Sequence, residues 1–292
     1  MFENVLVGVD GRPNGRDAIT LAGQLVDRAG RLTLAHVHSG GLDPGQVPGE
    51  EVEERKERDA SRELLEREQA RAVVSAELAS VAAPSPGRGL HLQAERQRAD
   101  LLVGGSCHRG SLGRVMLGDH ARAALNGAPC AVAIASLGLA EHPTPIAKVG
   151  VAYDRSPESE AALTAARELA APTRATLHAL QVVPIRSYSY GALAAGAVQQ
   201  SLDFLLGQAE SGLAELPDVQ GRAVYGVTGE ELAAFGDDVD ILVVGSRSYG
   251  PVRRMMLGST SDYLERHARC SLVVLPRHGR SEPGPSAGRA VP

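Results

Sequence analysis

The stretch GSRSYGPVRRMMLGST, residues 245–260, follows an apolar run, and the chain carries an earlier version of it. The earlier version reads GSCHRGSLGRVMLGDH and occupies residues 105–120. Both versions open with Gly-Ser and reach Met-Leu-Gly at the same spacing, but Ser259-Thr260 in the later one is Asp119-His120 in the earlier one. A loop that occurs twice with this difference indicates a duplicated fold whose two copies have diverged at one position.

The repeat extends over nearly the whole chain. Asp10, which ends VLVGVD, aligns with Asp154, which ends VGVAYD, 144 residues later. The segments ADLLVGGS and APCAVAIA align with VDILVVGS and ARCSLVVL, each 140 residues later. A period of this size predicts two tandem domains, residues 1–138 and 147–278, joined by a linker. Residues 279–292 are rich in Pro, Gly and Ser and predict a disordered tail.

Composition excludes several classes of partner. The net charge is −5, aromatic residues make up 3% of the chain and there is no Trp, which argues against nucleic-acid binding by charge or by base stacking. No apolar run is long enough to span a membrane, and the first residues lack the pattern of a signal peptide. Three Cys without a CxxC pair suggest neither a disulfide framework nor a zinc site. We therefore expect a cytoplasmic protein without nucleic-acid or membrane partners.

Strand and helix patterns alternate in each copy. Short apolar runs predict buried strands, and longer segments with helical spacing or many charges predict helices. In the first copy the predicted strands are 4–9, 31–38, 101–104 and 131–135, and the predicted helices are one with apolar positions at Ile19, Ala22, Leu25 and Val26, one over 50–80 and one from near 118 to 129. The second copy repeats this order, with its middle helix around 199–216. The alternation predicts an α/β fold with a parallel sheet, helices on both faces and ligands at the carboxyl ends of the strands.

The later loop has the features of a phosphate site. Gly245 and Gly250 allow tight turns directly after a buried strand, and Gly258 precedes Ser259, Thr260 and Ser261, which are suited to cap a helix. Backbone amides at a helix N-terminus bind anions, and Arg247, Arg253 and Arg254 can supply positive charge. The loop lacks the GK[ST] of a P-loop, so it has no phosphate-binding Lys of that type.

The spacing of this loop resembles the ATP-binding signature of the universal stress protein family, usually Gly-x2-Gly-x9-Gly-Ser/Thr. Gly245 and Gly258-Ser259 match the signature, and Ser248 replaces its second Gly. The strand-end Asp154, VDILVVGSRS and CSLVVLP match as well, and the first copy carries Asp10, ADLLVGGS and PCAVAIA. The resemblance covers about residues 2–276, and the chain is identified as a tandem member of the family.

The resemblance implies two Rossmann-like domains of the adenine nucleotide alpha hydrolase-like type, each a mostly parallel five-stranded sheet flanked by helices. It also implies that the two domains pair through their last strands as the family's dimer does, and homodimers of the whole chain are a further expectation. The ligand implied is ATP, with Mg²⁺ accompanying its phosphates. The residues implied to bind it are Val151, Ala152, Asp154, Val182, Gly245, Arg247, Ser248, Gly258, Ser259 and Thr260.

The first copy departs further from the signature. Its corresponding residues are Val9, Asp10, Gly105, His108, Gly118 and Asp119. His108 takes the place of the second Gly, and Asp119 takes the place of the Ser or Thr. Two like charges about 4 Å apart repel by roughly 4 kcal/mol at a surface-type dielectric before screening, so Asp119 disfavours a phosphate. A carboxylate also suits a helix N-terminus, so Asp119 is alternatively a simple helix cap. We expect a weak or empty site in the first domain.

Other chemistry-bearing residues have simpler interpretations. His36 and His38 share a strand face, but without a third ligand a structural role is favoured over a metal site. Cys107 lies beside His108 and is the best candidate for a reactive thiol, whereas Cys130 and Cys270 are expected to be buried. No catalytic constellation is recognisable. Together with this absence, the family resemblance implies a non-catalytic, ATP-binding stress-response regulator; the alternatives are a nucleotide-free interaction scaffold and a slow ATPase.

Overall fold

The computed structural model describes residues 1–40, 50–106, 126–184, 195–246 and 258–276, without the side chains of 50–51 and 195–199. The first copy contains β1 (Phe2–Gly8), α1 (Pro13–Leu25), β2 (Val26–His38), α2 (Glu50–Ala72), β3 (Glu77–Ala82), α3 (Pro86–Gln97), β4 (Leu101–Gly105) and β5 (Ala131–Ala135). The second copy contains β6 (Lys148–Ala152), α4 (Pro157–Ala170), β7 (Thr176–Pro184), α5 (Ala195–Ala214), β8 (Val219–Gly226), α6 (Thr228–Phe235), β9 (Ile241–Gly245), α7 (Ser259–His267) and β10 (Ser271–Leu275).

The ten strands in the described part of the chain form one sheet in the order β3-β2-β1-β4-β5-β10-β9-β6-β7-β8. The five strands of each copy are parallel, and the two copies join where β10 pairs antiparallel with β5. The predicted fold class, two tandem mostly parallel α/β domains, is confirmed.

The register at the join is symmetric with respect to the repeat. Val273 lies opposite Ala133, which is its own counterpart in the first copy. On either side of this pair, Leu272 lies opposite Ile134 and Val274 lies opposite Val132. Each copy therefore presents the same edge to the other, as in a two-fold interface between identical subunits.

The sheet is covered on both faces, and each face has its own hydrophobic core. Val5 and Val7 of β1 pack on one face with α1, whereas Leu6 packs on the other face with α3. The second copy repeats this arrangement, with Val151 of β6 fully buried on the α4 side and Leu242 of β9 on the α6 and α7 side. Strands buried on both faces consist of continuous apolar runs, which is why their sequences lack alternation.

Several predicted element bounds were wrong. The charged helix α2, predicted over 50–80, ends at Ala72, and its predicted last residues, 77–80, belong to strand β3. Val26, predicted as helical, begins β2, which is therefore longer than the predicted strand 31–38. Strand β8 and helices α3 and α6 had no predicted counterparts. Strands β3 and β8 are the two edges of the sheet and are partly exposed, so neither contains the apolar run used to recognise the inner strands.

A buried carboxylate holds the linker between the copies. The Asp17 side chain on α1 is 2% exposed and accepts hydrogen bonds from the backbone N–H groups of Gly138 at 3.0 Å and Ala140 at 2.7 Å. Further along the linker, the Gln24 side chain of α1 donates to the Thr144 carbonyl at 3.0 Å. The linker is thus fastened to the first domain before the second domain begins.

The predicted helix from near 118 lies mostly outside the described residues, and residues 126–129 are not helical. The predicted disordered tail, 279–292, also lies outside them. None of the described helices is long and apolar enough to cross a lipid bilayer.

Candidate functional site

The predicted site of the second copy lies where the strand order reverses. Strand β6 is paired with β7 on one side and with β9 on the other, so the carboxyl ends of all three strands meet at one edge of the sheet. Ala152 ends β6, Gly245 ends β9, and Val182 lies near the end of β7. Connections to opposite faces diverge at such a point and leave a crevice for a ligand.

The strand-end Asp residues form turns at this edge. Asp154 is exposed, and its Oδ1 accepts a hydrogen bond from the Ser156 N–H at 3.1 Å. Asp10 in the first copy is also exposed and accepts from the Arg12 N–H at 3.1 Å. In both copies this turn leads directly into a helix with Pro in its first turn. Each Asp thus holds a strand-to-helix turn and keeps a carboxylate at the mouth of the crevice.

Gly245 serves close packing, which the sequence did not predict, and the loop in which its predicted tight turn would lie is outside the described residues. It is outside the left-handed region, and a Cβ there would lie 2.6 Å from the Glu158 carbonyl oxygen in the first turn of α4. At Gly105 in the first copy, a Cβ would lie 1.8 Å from the carbonyl oxygen of Asn14 on α1. Both glycines let a helix N-terminus approach the end of a neighbouring strand.

The N-terminus of α7 fits an anion. Gly258 is the N-cap with φ −74° and ψ 172°, so Ser259, Thr260 and Ser261 occupy the first turn of the helix and do not cap it as predicted. Among the described residues, no side chain caps this helix and no atom lies within 4 Å of a Cβ built on Gly258. The first-turn amides of a helix have no partners within the helix, so an N-terminus that these residues leave uncapped is suited to accept phosphate oxygens.

The remaining predicted residues of the second copy differ in solvent exposure. Ser259 is exposed, and Thr260, Ala152 and Val182 are half-buried. The Val151 side chain is in the core, so this residue can contribute to a site only through its backbone. Arg247 and Ser248 lie outside the described residues, as do Gly250, Arg253 and Arg254.

The first copy builds the same edge with different side chains. Val9 is buried, and its carbonyl accepts a hydrogen bond from Nδ1 of His36 at 2.7 Å. At the position on β7 that corresponds to His36, the second copy has Gln181, whose side-chain oxygen has no hydrogen-bond partner among the described residues. His108, Gly118 and Asp119 lie outside the described residues. The two crevices therefore differ in their described walls as well as in the loop sequence.

The sequence analysis missed a polar cluster beside Asp154. Tyr153 is buried and donates a hydrogen bond to the Glu160 carboxylate on α4. Burial, together with this bond to Glu160, raises the pKa of the Tyr153 phenol to about 12, while Arg155 and Arg167 act in the opposite direction. The hydroxyl therefore stays protonated at neutral pH. Tyr153 and Arg155 directly flank Asp154, and this adjacency to a predicted ligand residue was the available signal.

The His and Cys residues have structural surroundings. Nδ1 of His38 donates to the Ser39 carbonyl at 2.9 Å and lies 3.7 Å from a Glu57 carboxylate oxygen. Within the part of the chain that the structure describes, no three His, Cys, Asp or Glu residues are grouped as metal ligands. Cys130 and Cys270 are buried as predicted, and burial raises the pKa of each thiol to about 12, which disfavours the reactive thiolate. Cys107 lies outside the described residues.

A duplicated parallel α/β domain, with a strand-end carboxylate and a closely packed glycine at each ligand edge, defines the class as tandem Rossmann-like proteins. The sequence profile of the universal stress protein family matches residues 1–136 and 145–276. The chain therefore belongs to the universal stress protein family, and each of its two halves matches the family profile.

Individual relatives agree with this assignment. Universal stress protein Rv2005c of Mycobacterium tuberculosis is 31% identical over 186 residues, which are 60% of this chain and 61% of that protein. Universal stress protein Slr1101 of Synechocystis is 32% identical over 80 residues, 27% of this chain and 74% of that protein. The chain thus matches less than two thirds of the length of the mycobacterial relative.

Solved structures support the fold. A universal stress protein from Archaeoglobus fulgidus superposes with a TM-score of 0.65 at 18% identity, covering 94% of this chain and 98% of its own. A universal stress protein from Pseudomonas aeruginosa gives a TM-score of 0.57 at 16% identity, with 94% of each chain covered.

Proposed function

We propose that this chain is a non-catalytic regulator of the stress response that binds ATP, and that it binds it mainly in the second domain. The observation that carries the proposal is the N-terminus of α7, which no side chain of the described residues caps and where none of their atoms lies within 4 Å of a Cβ built on Gly258. This terminus follows β9, the strand that lies next to β6 at the point where the strand order reverses. Donor groups for phosphate and a carboxylate for ribose hydroxyls thus belong to the same strand-end edge of one domain.

The proposed assignment divides the ligand between two parts of the edge. Asp154 at the end of β6 would accept hydrogen bonds from the ribose hydroxyls, and the half-buried Ala152 and Val182 would contact the base. The amides and hydroxyls of Ser259 and Thr260 would hold the phosphates, with Mg²⁺ accompanying them. Arg247 and Ser248, which the family signature adds to this set, are part of the same proposal.

The preference for the second domain rests on the sequence difference between the copies. Ser259, the first residue of α7, is exposed and uncharged, whereas the aligned residue of the first copy is Asp119. A phosphate next to a carboxylate is repelled by roughly 4 kcal/mol at about 4 Å before screening. We therefore expect one strong nucleotide site per chain.

Calorimetric titration with Mg-ATP tests the proposal. We expect a stoichiometry of one, and we expect Ser259→Asp to weaken binding about 100-fold or more through charge repulsion. Ser259→Asn is the matched control, because asparagine is similar in size to aspartate but carries no charge. A carboxylate in the first turn suits the helix dipole, so Ser259→Asp should not unfold the protein. No binding by the wild type, or an unchanged affinity in Ser259→Asp, would refute the phosphate assignment.

A nucleotide-free scaffold is the second candidate, and the surface of α5 favours it. Phe204 is 65% exposed and Leu205 is 44% exposed on neighbouring positions of this helix. Large apolar side chains exposed side by side are typical of contact surfaces for other proteins. Protein purified from cells and denatured by heat should release an adenine nucleotide if the first function holds and none if the chain is only a scaffold. ADP formation on incubation with Mg-ATP would instead indicate a slow ATPase.

A further inference from the structure

Arg155 adopts a backbone conformation that disfavours an arginine. Its φ is 63°, in the left-handed region, where a residue with a Cβ is destabilised by about 1 kcal/mol. Gly11, the residue at the same place in the first copy, has φ 75°. The turn after the strand-end Asp is therefore left-handed in both copies, and only the second copy places a large side chain there. The second copy therefore carries a local backbone cost at this turn that the first copy, with glycine there, avoids.

Gly212 is a second residue that is locally unfavourable, and the position of the Arg155 side chain explains why a glycine is found there. Gly212 lies inside helix α5, where glycine is less stable than alanine by about 1 kcal/mol. A Cβ on Gly212 would lie 1.2 Å from Nη2 of Arg155 and 2.1 Å from its Cζ. The guanidinium thus occupies the space that any other side chain at position 212 would fill. Two locally unfavourable residues, far apart in sequence, together form one contact.

The first copy joins the same two helices differently. Arg16 on α1 corresponds to Glu160 on α4, and Glu68 on α2 corresponds to Gly212 on α5. Arg16 Nε lies 2.9 Å from a carboxylate oxygen of Glu68, which is 1% exposed, so the first copy closes with a direct helix-to-helix ion pair. The second copy has Glu160 at the α4 position, where it accepts a hydrogen bond from Tyr153, and Gly212 at the α5 position, where the Arg155 side chain lies. The turn itself is thereby fastened to α5.

The place of Arg155 in the chain gives this contact a consequence for the ligand. Asp154, the proposed ribose ligand, precedes it, and Ser156, the N-cap of α4, follows it and accepts from the Ser159 N–H at 3.2 Å. The turn is thus held from the α4 side by a cap and from the α5 side by the guanidinium. We propose that Arg155 is a positioning residue of the nucleotide site, and that its docking on Gly212 holds Asp154 in the orientation that receives the ribose. This inference rests on the proposed function.

Two substitutions remove the contact from either side. Arg155→Gly installs the residue of the first copy and relieves the strained φ, while Gly212→Ala fills the guanidinium's place and favours the helix. Neither is expected to unfold the protein, because the atoms that meet the new Cβ at position 212 are the mobile end of a side chain. If only about a tenth of the molecules keep Asp154 in the orientation that receives the ribose, each variant binds nucleotide about tenfold more weakly.

The choice of ligands separates positioning of Asp154 from loss of phosphate contacts. Titrations with ATP and with AMP should show the same factor of weakening in Arg155→Gly, because both ligands carry the ribose. Ser259→Asp should weaken ATP more than AMP. Arg174→Gly is the control. Arg174 is exposed, has φ 57° and lies in the turn after α4, at the opposite end of that helix from Asp154. The nucleotide affinity of this variant should equal that of the wild type.

The double variant provides the decisive measurement. If both substitutions break one contact, Arg155→Gly with Gly212→Ala should bind about as weakly as either single variant, roughly tenfold below wild type, instead of about 100-fold below it. Unchanged affinity in both single variants, multiplicative effects, or weakening confined to ATP would overturn the inference while leaving the proposed function intact. Failure of the wild type to bind either nucleotide would overturn both.

Discussion

Gly245 and Gly258 have different roles although the loop signature treats them alike. A side chain on Gly245 would collide with the backbone of α4, which cannot move without shifting the helix. A side chain on Gly258 would enter open space, and its φ of −74° is available to any residue. One glycine therefore belongs to the packing of the domain, and the other keeps space free at the helix N-terminus.

Alanine substitutions should separate these two roles. Gly245→Ala should destabilise the fold by about 3 kcal/mol, near the upper end of the usual range for overpacking. Gly258→Ala should cost less than about 1 kcal/mol, the difference between glycine and alanine at an N-cap, but should weaken ATP binding because the methyl group enters the proposed phosphate space. Chemical denaturation and titration of both variants provide the test. Equal stability losses would contradict the assignment.

At the scale of single residues, sequence patterns revealed the conserved spacing of the repeat but not what each residue touches. The burial of Cys130 and Cys270 was predicted because each precedes an apolar strand. The partnership of Arg155 with Gly212 could not be predicted, since it depends on the crossing of a turn over a helix nearly sixty residues later in the chain. The close approach of Gly245 to Glu158 was missed for the same reason, because the two residues are distant in sequence.

Among the elements, helix α1 of the first copy differs from its counterpart α4 at the residue that binds the linker between the two domains. Asp17 accepts two linker N–H groups from inside α1, whereas the corresponding residue of the second copy is Ala161 on α4. The acid at position 17 thus belongs to the joining of the domains and has no part in the ligand edge.

Asp17→Ala should therefore loosen the linker. Loss of two hydrogen bonds to a buried carboxylate should destabilise the protein by about 3 kcal/mol, because both amides lose a charged acceptor. Thermal or chemical denaturation measures the loss, and limited proteolysis should cut faster within residues 136–147. Asp27→Ala, which removes a carboxylate that accepts the N–H of Ala29 two residues away near the start of β2, is a suitable control. Unchanged stability and unchanged cleavage would show that the linker is held by other contacts.

Most of the inner elements could be predicted from sequence, and the edges could not. The strands β1, β4, β5, β6, β9 and β10 are short apolar runs, so their burial on both faces was visible in the sequence. Strand β3 follows a charged helix and reads ELASVA, which continues the helical composition of α2. Its strand conformation depends on pairing with β2 along its whole length, a tertiary influence that local patterns do not contain.

For the whole molecule, the symmetric register of β5 and β10 predicts how an isolated half would behave. A chain of residues 147–278 would expose the edge of β10 that β5 now covers. Because Val273 faces its own counterpart in the tandem protein, a second copy can pair with β10 in the same register. We expect the isolated second domain to dimerise, with a mass by light scattering twice that of one chain. The full chain is the control, and a monomeric isolated domain would contradict the prediction.

The antiparallel join also decides which way each crevice opens. Since the strands of the two copies run in opposite directions across the shared sheet, their carboxyl ends emerge at opposite rims of the molecule. A compact binding protein that covers one crevice is consequently turned away from the other. The duplicated halves were therefore free to diverge in what they recognise, because a change at one rim leaves the opposite rim untouched.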